Sequence, residues 1–293
     1  MRIGALEAGG TKMVAAIGNE NGEIFEKHSI PTASPAETLP ELFDFFSKNN
    51  IASLGIASFG PLDLKRNSPT YGYITSSTKL LWQNCNIVGA FSKLNVPVGF
   101  DTDVNGSVLG EHFYGAAKEI DNIVYVTIGT GIGIGVISEG RVLHGMMHPE
   151  GGHVILSRHM GDNYKGKCPF HENCFEGLAS GPAIEERFGM PADKLETDMY
   201  VWELEADYIA QALIDYTVIL SPQRIILGGG VMHQTQLFKL IREKFCILMN
   251  GYVKTKELEN LDDFIVPESL NGEQGIKGAL WLGAAEAFNL KKD

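Results

Sequence analysis

The chain has 293 residues, 44% of them hydrophobic, and a formal net charge of −12; that length suits two domains of ordinary size and that composition can bury a core. The acidic balance disfavours nucleic acid as a partner, because phosphate contacts need a basic face, and no apolar run approaches the ~18 residues of a membrane span. Four cysteines, Cys85, Cys168, Cys174 and Cys246, give no disulfide framework and point to a reducing compartment. A strand pattern begins at Ile3 and leaves no room for a signal sequence, so a cytoplasmic location is expected.

In chain order, residues 2–32 predict a β-meander: a strand from Ile3 to Leu6, a Gly-Gly-Thr turn, a strand from Met13 to Gly18, an Asn21-Gly22 turn and a third strand. Helices are predicted over 36–49, 105–118, 181–188, 203–220, 234–250 and 275–288, and short strands over 53–58, 96–100 and 224–228. Asp103 or Asn105 is placed to cap the second helix, and Ser180 with Gly181-Pro182 to open the third. Residues 122–145 repeat the meander, with Ile123 to Ile128, a Gly129-Thr130-Gly131 turn, Ile132 to Ile137 and a Glu139-Gly140 turn. Two meanders, each followed by mixed helices and strands, predict two α/β domains. The boundary is expected near residue 117, giving domains 1–117 and 118–274, with the last helix, 275–293, packing back on the first.

Three glycine clusters invite ligands. In Gly9-Gly10-Thr11-Lys12, successive glycines let the backbone approach an anion and aim N–H groups at it, Thr11 adds a hydroxyl and Lys12 a charge. The bland alternative is an ordinary hairpin turn. Gly129-Thr130-Gly131 is not a dinucleotide fingerprint, because a strand and not a helix follows; paired with the first turn, it suits a polyphosphate. Gly228-Gly229-Gly230 ends an apolar strand, where a flat group such as adenine can lie on the backbone, or where a helix simply packs closely on the strand. At Asp101-Thr102-Asp103-Val104-Asn105 a carboxylate stands at a strand end that opens a helix. It is either a cap or a general base, and spacing does not choose between Asp101 and Asp103, although Asp103 ranks first.

The segment from Glu150 to Glu176 carries His153, Cys168, His171 and Cys174 among Pro, Glu, Asn, Lys and Gly. Two thiolates and two imidazoles satisfy tetrahedral Zn²⁺ and leave no open position, so the site is expected to be structural. Glu150 and Glu176 are not needed as ligands and remain available for other contacts.

Taken together, Gly4-Ala-Leu-Glu-Ala-Gly-Gly-Thr-Lys12, Asp101-Thr-Asp-Val-Asn105, Thr127-Ile-Gly-Thr-Gly-Ile-Gly133, Glu150-Gly-Gly-His153, Cys168/His171/Cys174 and Leu227-Gly-Gly-Gly-Val-Met232 resemble the ROK-family sugar kinases, over nearly the whole chain. Within that family the chain looks most like the bacterial fructokinases, which share Glu7 in the first turn, the Cys-Pro-aromatic-His segment and a pattern like Gly72-Tyr73-Ile74-Thr75 with Lys79 and Trp82. The resemblance implies an actin-like (ribonuclease H-like) ATPase fold, with two α/β domains around an interdomain cleft. It implies a hexose kinase using ATP and Mg²⁺, with D-fructose converted to fructose 6-phosphate. Asp103 would be the base, and Thr102, Glu150, His153 and Glu176 would hold the sugar, His153 doubling as a ligand of structural Zn²⁺. Gly9, Gly10, Thr11, Lys12, Gly129, Thr130, Gly131, Pro182, Gly228, Gly229, Gly230, Val231 and Met232 would line the nucleotide. One departure is Thr102, where glucokinase-type members usually carry Asn. A homodimer is implied, without nucleic-acid or membrane partners. The alternatives are a mannose or glucose kinase, or a non-catalytic sugar-responsive regulator; the family's regulators carry a helix-turn-helix ahead of the first turn.

Overall fold

The computed structural model describes residues 1–288, so the predicted continuation of the last helix to residue 293 lies outside the described residues. The chain divides into two units, each considered by itself.

The first unit holds Met1–Glu119, Arg141–His148 and, among the described residues, 269–288. Its strands are β1 (Ile3–Ala8), β2 (Lys12–Gly18), β3 (Ile24–Pro31), β4 (Ser53–Ser58), a short pair β5 (Tyr73–Ile74) and β6 (Cys85–Asn86), and β7 (Val98–Thr102). The main sheet runs β3-β2-β1-β4-β7. β1 pairs antiparallel with β2 and parallel with β4, and β4 pairs parallel with β7. Burial follows this order. β4 is buried along its whole length and β1 everywhere but Glu7, as inner strands covered on both faces must be. β3, at the edge, is polar and largely exposed. Helix α1 (Pro35–Ser47) opens with Pro35 in its first turn and with the Glu37 carboxylate accepting from Ser34 N–H at 3.1 Å, half of a capping box.

Helix α2 (Asp103–Tyr114) departs from expectation at both ends. Its cap is neither Asp103 nor Asn105 but Thr102, whose Oγ1 accepts from Asn105 N–H at 3.1 Å. β7 runs two residues beyond its predicted end, because Asp101 and Thr102 still pair with Ala57 and Ser58. The helix stops at Tyr114, before Gly115, because the Glu111 carboxylate folds back to accept Ala116 N–H (2.7 Å), Ser269 N–H (2.7 Å) and Ser269 Oγ–H (2.6 Å). The C-terminal helix, Gln274–Ala287, crosses α2 at a small-residue contact: a methyl on Gly278 would lie 1.7 Å from Gly106 O. Only glycine permits backbones that close.

The second unit holds Ile120–Gly140 and Pro149–Glu268. Its strands are β8 (Ile123–Ile128), β9 (Ile132–Ser138), β11 (Arg224–Gly228) and β12 (Ile265–Pro267), in the order β9-β8-β11-β12, while the short β10 (Arg141–Val142) groups with the first unit. β8 pairs antiparallel with β9 and parallel with β11, which pairs parallel with β12. The order β2-β1-β4-β7 of the first sheet recurs as β9-β8-β11-β12, so the repeated Gly/Thr meander in the sequence is a repeated topology. The helices are α3 (Phe175–Ala179), α4 (Gly181–Phe188), α5 (Met199–Leu220) and α6 (Gln236–Met249). α5 begins four residues before its predicted start, where the Asp198 carboxylate accepts from Tyr200 N–H at 3.1 Å. Among the described residues, no helix is long and apolar enough to cross a membrane.

Candidate active site and metal centre

In the first unit, the turn between β1 and β2 is closed by Gly9 N–H donating to Lys12 O at 3.1 Å and braced by Thr32, whose Oγ1–H donates to Gly9 O at 2.7 Å. The N–H groups of Gly10 and Thr11 have no partner among the described residues. That is the open pair of donors an anion needs. Just before the turn, the Glu7 carboxyl lies against the start of the C-terminal helix. Burial first, and then repulsion from Asp103, push its pKa up to about 7.

The two aspartates of the strand end separate by environment. Asp101 is 3% exposed and fully engaged: its carboxylate accepts from Thr102 N–H (2.8 Å) and Asn105 Nδ2–H (2.7 Å) and lies 3.0 Å from His144 Nε2. Asp103, half-buried, accepts from Val104 N–H at 2.9 Å. Burial pushes its carboxyl up to about 6, against the lowering effect of the Val104 N–H and its own N–H. Thr102, predicted to touch sugar, is 2% exposed and spends its Oγ1 lone pair on the helix cap, which leaves its hydroxyl proton to donate.

In the second unit, the glycine segments predicted to hold a nucleotide converge. Gly181 N–H donates to Gly129 O at 2.8 Å, which seats Pro182 and the start of α4 on the second turn, and a methyl on Gly129 would lie 3.7 Å from Gly230 N. Thr130 and Gly131 are exposed, whereas Val231 and Met232 are buried, at 3% and 5% exposed. Glu176 is tied to the same turn, its Oε2 accepting from Ile132 N–H at 2.9 Å.

Segment 154–156 pairs with 173–175, through Leu156 N–H to Asn173 O (2.9 Å) and Phe175 N–H to Val154 O (2.9 Å). This brings His153 beside Cys174, and Lys167 N–H donating to Gly177 O at 2.8 Å brings in Cys168. The donor atoms of His153, Cys168, His171 and Cys174 all lie within 4.8 Å of one another. His153 Nδ1 is 3.6 Å from Cys174 Sγ and 3.8 Å from Cys168 Sγ, and Cys168 Sγ is 3.8 Å from His171 Nδ1. Bonds of about 2.3 Å to sulfur and about 2.0 Å to nitrogen put neighbouring donors about 3.6 Å apart around a tetrahedral ion. The four residues therefore fit a divalent metal. Burial pushes the Cys174 thiol up to about 12, so forming its thiolate calls for a cation.

A charge network invisible in the sequence secures the loop that leads to Cys168. Arg187, on α4, lies 3.3 Å from Asp162 and 3.0 Å from Glu205 and donates to Leu178 O at 2.8 Å. Tyr208 Oη–H donates to Asp162 at 2.6 Å, and the guanidinium lies over the ring of Tyr164 at 4.7 Å. The side chains of Arg187, Asp162 and Glu205 are 6%, 5% and 0% exposed. Removing one partner of a buried pair strands the other charge, so Arg187→Met is expected to cost about 3–5 kcal/mol, read from the urea unfolding midpoint. A loss below about 1 kcal/mol would mean that the stranded carboxylates find water.

Against known proteins, the family model described as ROK family matches residues 3–286. The fructokinase of Pediococcus pentosaceus is 46% identical over 290 residues, spanning 99% of this chain and 100% of its own. The glucokinase of Thermotoga maritima is 26% identical, spanning 95% of this chain and 96% of its own. The crystal structure of the ROK hexokinase of Thermus thermophilus superposes with a TM-score of 0.79 at 24% identity, spanning 99% of this chain and 100% of its own, and places the chain in the actin-like ATPase fold.

Proposed function

The chain belongs to the ROK family, and from that premise we propose that it transfers the terminal phosphoryl group of MgATP to a hexose, D-fructose, giving fructose 6-phosphate and ADP. The near-full-length likeness to a fructokinase, set beside the much lower identity to a glucokinase, supports that choice of sugar. The mechanism rests on one contrast. Asp101 is saturated with partners, while Asp103 holds a carboxyl raised toward neutrality and keeps lone pairs to spare.

Asp103 takes the proton of the sugar's 6-hydroxyl as that oxygen forms its bond to the terminal phosphorus; the bond from phosphorus to the bridging oxygen breaks and ADP leaves. The loose transition state asks for positioning and charge neutralisation more than for covalent chemistry. Mg²⁺ carried in on the phosphates supplies part of that neutralisation. The first turn (Gly9, Gly10, Thr11, Lys12) and the second (Gly129, Thr130, Gly131) supply N–H groups, hydroxyls and a lysine, while Pro182 and the backbone of Gly228, Gly229, Gly230, Val231 and Met232 carry the nucleoside.

Glu150, His153 and Glu176 hold sugar hydroxyls, joined by the Thr102 hydroxyl proton. Zn²⁺ is the metal the donor set favours. With Nδ1 of His153 turned to the metal, its Nε2–H is fixed as a donor for sugar. A homodimer belongs to the same reading; exposed Val218 and Tyr252 line one surface groove of the second unit.

The test is ADP release from MgATP with fructose, mannose, glucose and N-acetylated hexosamines. Turnover on fructose, alone or with mannose, is expected. Turnover confined to glucose would keep the mechanism and change the sugar, and none with any sugar would favour a sugar-responsive regulator.

A further inference from the structure

We infer that Lys79 is a catalytic residue of this kinase, its ammonium binding the terminal phosphate of ATP above the Gly10-Thr11 amides. The inference rests on the reading of Gly9–Lys12 as a phosphate turn. A methyl on Gly10 would lie 2.9 Å from Lys79 Cε and 3.8 Å from its Nζ, so the end of this side chain already covers the turn. Lys79 is half-buried, yet among the described residues it has neither an ion-pair partner nor a side-chain hydrogen bond. Its ammonium is therefore open to an incoming anion.

Its position is built. Lys79 N–H donates to Ser77 Oγ at 3.1 Å, and Ser77 is 2% exposed. Trp82 N–H donates to Lys79 O at 2.8 Å. The Trp82 ring is 1% exposed, meets Phe59 edge-on at 5.7 Å, and donates its Nε1–H to Ala33 O at 2.8 Å. Gln83 Nε2–H closes the segment on Ser77 O at 2.9 Å. The loop is thus nailed to the core three residues after Lys79. Nothing in that anchoring uses the ammonium.

The choice of phosphate follows from which groups share a unit. The first turn shares its unit with Asp103, and Glu7, which leads into that turn, senses the Asp103 charge. A base and the phosphorus under attack must reach one hydroxyl. The terminal phosphate therefore belongs at the first turn, beside two carboxyl groups, where a cation beyond Lys12 offsets the gathering negative charge.

The experiment compares Lys79→Met and Lys79→Arg with the wild-type protein, by steady-state kinetics with fructose and by calorimetric titration with MgADP and a magnesium complex of a non-hydrolysable ATP analogue. Lys79→Met is expected to lower kcat about 100-fold. It should weaken the ATP analogue about tenfold while ADP affinity and the fructose KM stay within about twofold; Lys79→Arg should retain at least about a tenth of kcat. A Lys79→Met kcat within about threefold of wild type, or equal weakening of ADP and the analogue, overturns the assignment. Gly9→Val separates the failures. If it abolishes analogue binding while Lys79→Met does nothing, the lysine assignment alone falls; if neither matters, the phosphate-turn reading falls with it.

Discussion

Asp103→Asn is expected to lower kcat about 10³-fold while the affinity for MgATP analogues stays within about twofold, because the amide keeps the shape of the carboxyl and loses only its basicity. The sign of the pH dependence follows from its environment. Burial raises the Asp103 carboxyl to about 6, and the base works only as the carboxylate. Activity should therefore be full above that value and fall as pH drops through it, about tenfold per pH unit on the acid limb of kcat/KM. An ordinary carboxylate would place the limb near 4. A variant with near-normal turnover would return the role to Asp101 or to another group, and an acid limb near 4 would contradict the burial.

The second large effect concerns the metal. Stripping it by chelation, or replacing Cys174 with Ser, is expected to raise the dissociation constant for fructose about 10–100-fold, measured by calorimetry, with ADP affinity left within about twofold. His153 links the two halves of this prediction. Its Nδ1 faces both thiols, so on the proposed function losing the metal would free the ring to rotate and scatter the Nε2–H offered to the sugar. Melting temperature should fall as well, because a closed structural site contributes folding free energy. Metal-free protein that binds fructose with full affinity would show that the centre has no part in the sugar site.

Both meanders were legible because Gly/Thr turns between apolar runs mark hairpins, and the His153, Cys168, His171 and Cys174 cluster because its spacing is local. The choice between Asp101 and Asp103 was not legible. The proposal of Asp103 rests on the engagement of Asp101 by His144 and Asn105, and a contact with a histidine more than forty positions away leaves no trace in spacing. Thr102 was likewise read as a sugar contact, and its capping role shows only once β7 is seen to run through it. The Arg187 network leaves no mark in the sequence, since Arg187, Glu205 and Asp162 share no motif; only the crossing of α4, α5 and the loop buries them together. α3 escaped notice because five residues are too few for a periodic signal and its cap is a cysteine, Cys174 Sγ accepting from Gly177 N–H at 3.3 Å. Residues 141–148 group with the first unit although their sequence neighbours lie in the second. That grouping comes from tertiary contacts such as Leu62 N–H donating to His148 Nε2 at 3.2 Å.

The most direct test is the identity of the product. Wild-type protein, MgATP and fructose should be followed by phosphorus and carbon NMR, with Asp103→Asn alongside. The account predicts fructose 6-phosphate formed in step with ADP by the wild type, and almost none by the variant. ADP released without a sugar phosphate, or a phosphate on another carbon, would contradict it.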